Sequence, residues 1–187
     1  MAVPLVKGLT FLNLRRFVEQ RLGGAAGWSR LMGQLHSDDS TVIASVVGTG
    51  WYDLALLARM LNAVDREFGI GNLALVREQG VFQAESDLKV VFRMFFRMAN
   101  PSYVISKATH YWSRLQTEGV WEIEREAPNR VRGSLTGWGV DAALCAAIGA
   151  YMVRLIELVG GKSVVGEHPA CRVEGHPACV FTLRWRE

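Results

Sequence analysis

The run Trp121-Glu122-Ile123-Glu124-Arg125, the break Ala127-Pro128-Asn129, and the run Arg130-Val131-Arg132-Gly133-Ser134-Leu135 decide how this chain folds. In the first run Trp121, Ile123 and Arg125 alternate with Glu122 and Glu124. In the second, Val131, Gly133 and Leu135 alternate with arginines and a serine. A period of two puts successive side chains on opposite faces of a strand, so two such runs around a proline-bearing turn predict a β-hairpin. Upstream the apolar period is that of helices. Downstream a helix from Asp141 to Val159 precedes a second hairpin, in which Ser163 to Val173 pairs with Cys179 to Trp185 around Glu174-Gly175. Phe181, Leu183 and Trp185 form its inward face. The expected fold is therefore α+β: a helical N-terminal two-thirds packed on a four-stranded antiparallel sheet, with one helix between the two hairpins. Residues 1–187 read as a single domain, because no Pro-, Gly- or Ser-rich linker divides them.

Within the helical part the spacing predicts helices over Lys7 to Leu22, Ala25 to Leu35, Trp51 to Phe68, Leu73 to Val81, Ser86 to Met98 and Ser102 to Gln116. Ser86-Asp87 reads as the cap of the fifth. The β-branched segment Thr41 to Val47 reads as a short strand.

Composition excludes several classes. Half of the 187 residues are hydrophobic and 21% are charged, which excludes disorder. A net charge of +3 is too small and scattered for a nucleic-acid footprint. The mean hydropathy of +0.13 points to a pocket or a buried subunit interface besides the core. No apolar run precedes Arg15-Arg16 as a signal peptide would require. The apolar stretch from Ala142 to Val153 falls short of the roughly 20 residues of a membrane span. The expected compartment is the cytoplasm, where three cysteines serve as thiols or metal ligands.

Near the C-terminus a tetrapeptide repeats: His168-Pro169-Ala170-Cys171 and His176-Pro177-Ala178-Cys179. Cys145 lies on the preceding helix, on the stripe of Ile148, Met152 and Ile156. Three thiolates and one imidazole make a closed tetrahedral set for a structural zinc, with Cys145, His168, Cys171 and Cys179 as the ligands. His176 and Glu167 are alternatives for the fourth place. Two other readings stay open: small buried apolar residues, and a Cys171–Cys179 disulfide. In a regular strand residues 168 and 171 point to opposite faces, so His168 reaches the site only if the chain bends, and Pro169 is the place for a bend or bulge.

At these residues the chain resembles the 4-vinyl reductase-like domain, found alone and in the sensor regions of aromatic-responsive bacterial transcription activators. Its pattern is a helix with one cysteine, then Glu-x-x-Cys, then Gly-His-x-x-Cys across a tight turn. Cys145, the stretch Glu167 to Cys171, and Gly175-His176-Pro177-Ala178-Cys179 occupy it, with His168 where the family has its acidic residue. The N-terminal half is similar to the haem-nitric-oxide-binding domain of the same broad superfamily, which also contains the vesicle-tethering TRAPP subunits. The resemblance implies an apolar pocket between helices and sheet.

Haem ligation in that family needs an axial histidine on a helix facing the pocket. Val91, Phe92 and Phe95 occupy the helix where it is expected, and the sequence reading sets haem aside; His110 reads as a boundary residue. Phe92, Phe95, Phe96, Tyr111, Trp112 and Trp138 are the expected pocket lining. No nucleophile elbow, dinucleotide fingerprint or carboxylate pair marks an enzyme. The reading is a non-enzymatic sensory or regulatory domain for a hydrophobic or aromatic small molecule, with output through a homodimer or a protein partner. The segment Cys179 to Arg186, read as an edge strand, suits a dimer. The alternative is a dimeric, TRAPP-like scaffold or interaction protein without a ligand; a haem gas sensor or a tetrapyrrole carrier or reductase ranks after it.

Overall fold

The computed structural model describes residues 3–90, 100–139 and 141–186. Their order is β1 (Leu5–Lys7), α1 (Gly8–Arg21), α2 (Gly24–Gly33), α3 (Ser37–Ala44), β2 (Trp51–Asp53), α4 (Leu54–Phe68), α5 (Ala74–Val90), α6 (Pro101–Leu115), β3 (Val120–Ala127), β4 (Arg130–Thr136), α7 (Ala142–Leu158), β5 (Lys162–Ala170), a single 3-10 turn (Arg172–Glu174) and β6 (Cys179–Arg186). The α+β architecture is as read: helices first, then a four-stranded antiparallel sheet with α7 between its two hairpins.

Three elements depart from the expected ones. Thr41 to Val47 is not a strand; Ser37 to Ala44 is helical, because Asp38 and Asp39 sit in its first turn, where acidic charge is favoured, and Ile43 is buried. Trp51-Tyr52-Asp53 leaves the helix expected there and pairs with Leu5–Lys7, while the Asp53 carboxylate accepts the Ala55 N–H at 2.8 Å and caps α4. Ser86-Asp87 does not start a helix: α5 runs through both residues without a break.

The sheet order is β3-β4-β6-β5. The strand from Cys179 is therefore central, correcting its expected place at an edge; β3 and β5 are the edges. Val131, Leu135, Phe181, Leu183 and Trp185 are buried on the inner face, under α6 and α7, while Glu122, Glu124, Arg184 and Arg186 face outward. The core is continuous from Val6 through α1 and α4 to Cys179 and Phe181. No helix among the described residues is long and apolar enough to cross a membrane.

Candidate functional site

The chain builds two adjoining features around α7. The first is the cysteine cluster. The Asp141 carboxylate accepts the N–H groups of Ala143 and Leu144 at 2.8 and 3.3 Å and starts α7 one turn before Cys145, which is buried. On β5, Glu167 lies opposite Thr182 but Ala170 lies opposite Val180, so one extra residue is accommodated between them. That bulge contains His168-Pro169 and removes the alternation that would separate residues 168 and 171. After the 3-10 turn, Gly175 takes a left-handed φ of 88°, and the N–H groups of Glu174 and His176 both donate to the Cys171 carbonyl. The folded-back loop delivers Cys179, whose Sγ accepts the Arg172 N–H at 3.4 Å.

Cys145 Sγ lies 3.6 Å from Cys179 Sγ and 3.8 Å from Cys171 Sγ. With His168, one donor atom from each of the four residues lies within 4.8 Å of the others. Sulfurs about 2.3 Å from a tetrahedral ion stand about 3.8 Å apart, so Cys145 already has that spacing to both other thiols. His168 stacks flat on Phe181, with centroids 4.2 Å apart, and burial depresses its pKa against the raising influence of Glu174. His176 is outside the cluster, its side chain beside Glu174. Burial first, and then the neighbouring thiols, hold the Cys145 thiol well above its ordinary range. A cation reverses that balance, since coordination deprotonates a thiol outright. A cleft of about 510 Å³, lined by Glu167, His168, Cys171 and Glu174, leads to the cluster.

The second feature is a mostly apolar cavity of about 180 Å³ on the other side of α7. Tyr111, Trp112 and Trp138 line it, with Trp121, Leu57, Leu61, Leu144, Ile148 and Met152. Trp112 meets Trp121 and Trp138 edge-on, at 5.7 and 5.3 Å between centroids. Phe92, Phe95 and Phe96 lie outside the described residues. An engineered apolar cavity on the order of 150 Å³ admits benzene, so this one has room for a small ring system. The Arg172 guanidinium donates to the Trp138 carbonyl, tying the loop of the cysteine cluster to the cavity wall.

The sequence reading missed the polar part of that wall. Gln79, Gln83 and Tyr151 line the cavity, and behind them Asp87 is buried. Asn13 Nδ2 donates to Asp87 Oδ1 at 3.0 Å, and Tyr151 and Gln83 also bond its carboxylate. Burial outweighs these bonds and raises the Asp87 pKa to about 6. The native carboxyl thus holds its proton more tightly than the unfolded chain, near 3.8. The stabilisation is complete below that value and is lost as pH rises through the folded value, so stability falls between about pH 4 and pH 6, by on the order of 2–3 kcal/mol. In Asp87→Asn this part of the slope is expected to vanish. Urea midpoints of both proteins across the same window check it, and parallel slopes would exclude Asp87 as the group responsible.

No protein-family model matches the chain, and no curated protein matches it significantly. Solved structures do. An H-NOX protein from Shewanella oneidensis in the Fe(II)NO state aligns with 97% of this chain and 99% of its own, at 14% identity and a TM-score of 0.74. The Fe(II) unliganded H-NOX protein from K. algicida covers 97% of both chains at 12% identity and a TM-score of 0.72. A third, described by its haem redox potential and porphyrin distortion, covers 97% of this chain and 95% of its own at 8% identity and a TM-score of 0.70. These likenesses show the fold: it is shared with H-NOX structures over 97% of the chain.

They also correct the reading against haem. Proteins solved in Fe(II) states share this architecture over nearly the whole chain, so haem returns to the set of ligands to be considered. The cavity wall is apolar and aromatic, and its polar side chains near α7 are Gln79, Gln83 and Tyr151. Among the described lining residues there is no histidine. Tyr111, Tyr151 and Met152 carry the side-chain atoms of known axial-ligand types. For zinc, the structure supplies the four-donor cluster and nothing beyond it.

Proposed function

We propose that residues 1–187 act as one sensory or regulatory domain that binds a flat, largely apolar molecule without catalysing its conversion. The observation that carries this reading is the aromatic-walled cavity between α5, α6 and α7, set in an architecture shared with H-NOX proteins. Haem is one such molecule, and a smaller aromatic is another. Haem, when bound, would supply an iron able to take a diatomic gas, held between Trp112, Trp138 and the apolar side chains of α4 and α7.

Cys145, His168, Cys171 and Cys179 are proposed to hold a structural divalent metal, with zinc favoured by the three-thiolate, one-imidazole donor set. The ion would fasten α7, which is one wall of the cavity, to the loop between β5 and β6. Filling of the cavity then biases α7 between two packings, and the fastened loop carries the difference outward. Exposed Val120 and Ile123 on edge strand β3, and Val165 on edge strand β5, support output through a second copy or a protein partner. The molecule works in the cytoplasm on this proposal.

Native mass spectrometry and absorption spectroscopy of protein expressed with excess haem test the reading. The expected result is a retained organic mass in the cavity, with a Soret band if that mass is haem. A bare mass that shifts neither with haem nor with small aromatics would leave the scaffold alternative.

A further inference from the structure

We propose that the cavity selects ligands carrying an N–H or O–H donor, because Tyr151, polarised through the buried Asp87 cluster, presents an acceptor to it. This deepens the ligand-binding reading above and rests on it.

The polarity follows from counting protons. Asp87 is reached from three elements: Asn13 on α1, Gln83 on α5 and Tyr151 on α7. An ionised carboxylate only accepts, so each neighbour must turn a donor toward it. A tyrosine hydroxyl has one proton. Burial and the Asp87 charge hold the Tyr151 hydroxyl protonated, and that proton is given to Asp87. Toward the cavity its oxygen is left only as an acceptor.

The amides carry the same polarity further. Gln83 directs its NH2 at Asp87, so its carbonyl oxygen faces away and accepts Gln79 Nε2 at 3.2 Å. Gln79, itself buried, is thereby held as the donor that closes the relay. The fixed carboxylate thus sets the orientation of two amides and one hydroxyl, and the hydroxyl oxygen faces the cavity as an acceptor. The facing wall offers Trp112, Trp121 and Trp138 to a flat ring. A donor-bearing ring satisfies both walls, whereas an equally shaped hydrocarbon strips water from that oxygen and returns no bond.

Three bicyclic isosteres separate these effects by titration calorimetry near neutral pH: indole has an N–H donor, benzofuran an oxygen acceptor, and indene neither. The wild-type chain is expected to bind indole about tenfold more tightly than indene or benzofuran, as one hydrogen bond to an otherwise unpaired acceptor implies. Tyr151→Phe keeps the ring and is expected to bind indene as before while most of the indole preference disappears. Equal binding of all three by the wild-type chain, which needs no variant to fold, would overturn the donor selection and leave the cavity reading standing. An indole preference unchanged in Tyr151→Phe would overturn the role of Tyr151. Binding of none of the three would overturn both the selection and the use of the cavity for small aromatics.

Discussion

A Cys171→Ser variant is expected to lose one metal ion per chain and, together with it, about 4 kcal/mol or more of stability, a fall in melting temperature on the order of 10 °C for a chain of this size. The expectation rests on the spacing of the sulfurs. Thiols that merely fill a core have no reason to gather three at a time with an imidazole within 4.8 Å of one another. Replacing a buried thiol by a hydroxyl carries its own cost, about 1–3 kcal/mol when the new group lacks a partner, so the size of the loss alone does not discriminate. The chelator does. In wild-type protein a strong chelator is expected to lower the melting temperature toward that of the variant, whereas in Cys171→Ser it should change nothing. Indifference of both proteins to chelator, with three titratable thiols in the wild type, would mean that the cluster packs without metal.

The cluster was legible in the sequence because its determinants are local. Asp141 caps α7, Pro169 marks the bulge, and Gly175 closes the turn; each acts within a few residues of the side chain that it places. The hairpin from Trp121 was legible for the same reason. What the sequence hid depends on distant partners. Ser86-Asp87 has the composition of a helix cap, yet the Asp87 carboxylate is engaged by Asn13, 74 positions away. Trp51-Tyr52-Asp53 continues an amphipathic pattern, but the backbone of Leu5–Lys7 takes it into a ladder. The central place of β6 follows from its pairing with β4, a contact between the two hairpins that neither turn encodes. Gln79 lay in one expected helix and Gln83 in the gap before the next, with nothing to mark either. Only the packing of α5 against α1 and α7 turns them, with Tyr151, into the polar wall of a cavity. The reading against haem failed differently: it weighed individual residues and short motifs, whereas the likeness to H-NOX structures lies in the whole fold.

The second large effect is expected at Gly80, where α5 touches α7. A Cβ placed on Gly80 would stand 2.2 Å from the Ala147 carbonyl oxygen and 3.0 Å from its carbon. Both are helix backbone, so no rotamer change relieves the clash and the two helices must separate. Among the described residues that interface is the most extensive between two helices, and Gly80 and Ala147 both line the cavity. Overpacking of this kind costs about 1–3 kcal/mol where side chains can yield, and more where only backbone is available. On propensity alone, alanine in mid-helix is better than glycine by about 1 kcal/mol, so the steric and intrinsic effects have opposite signs. With the contact at 2.2 Å the steric effect should win, and Gly80→Ala is expected to be less stable by about 2–4 kcal/mol. The same displacement would disturb the cavity wall, so binding of indole should weaken at temperatures where the variant remains folded. Urea denaturation of Gly80→Ala checks the first effect and calorimetry with indole the second. A variant more stable than the wild type, by the margin that helix propensity predicts, would show that α5 and α7 do not approach each other this closely, and would remove the basis for placing Gln79 and Gln83 opposite Tyr151.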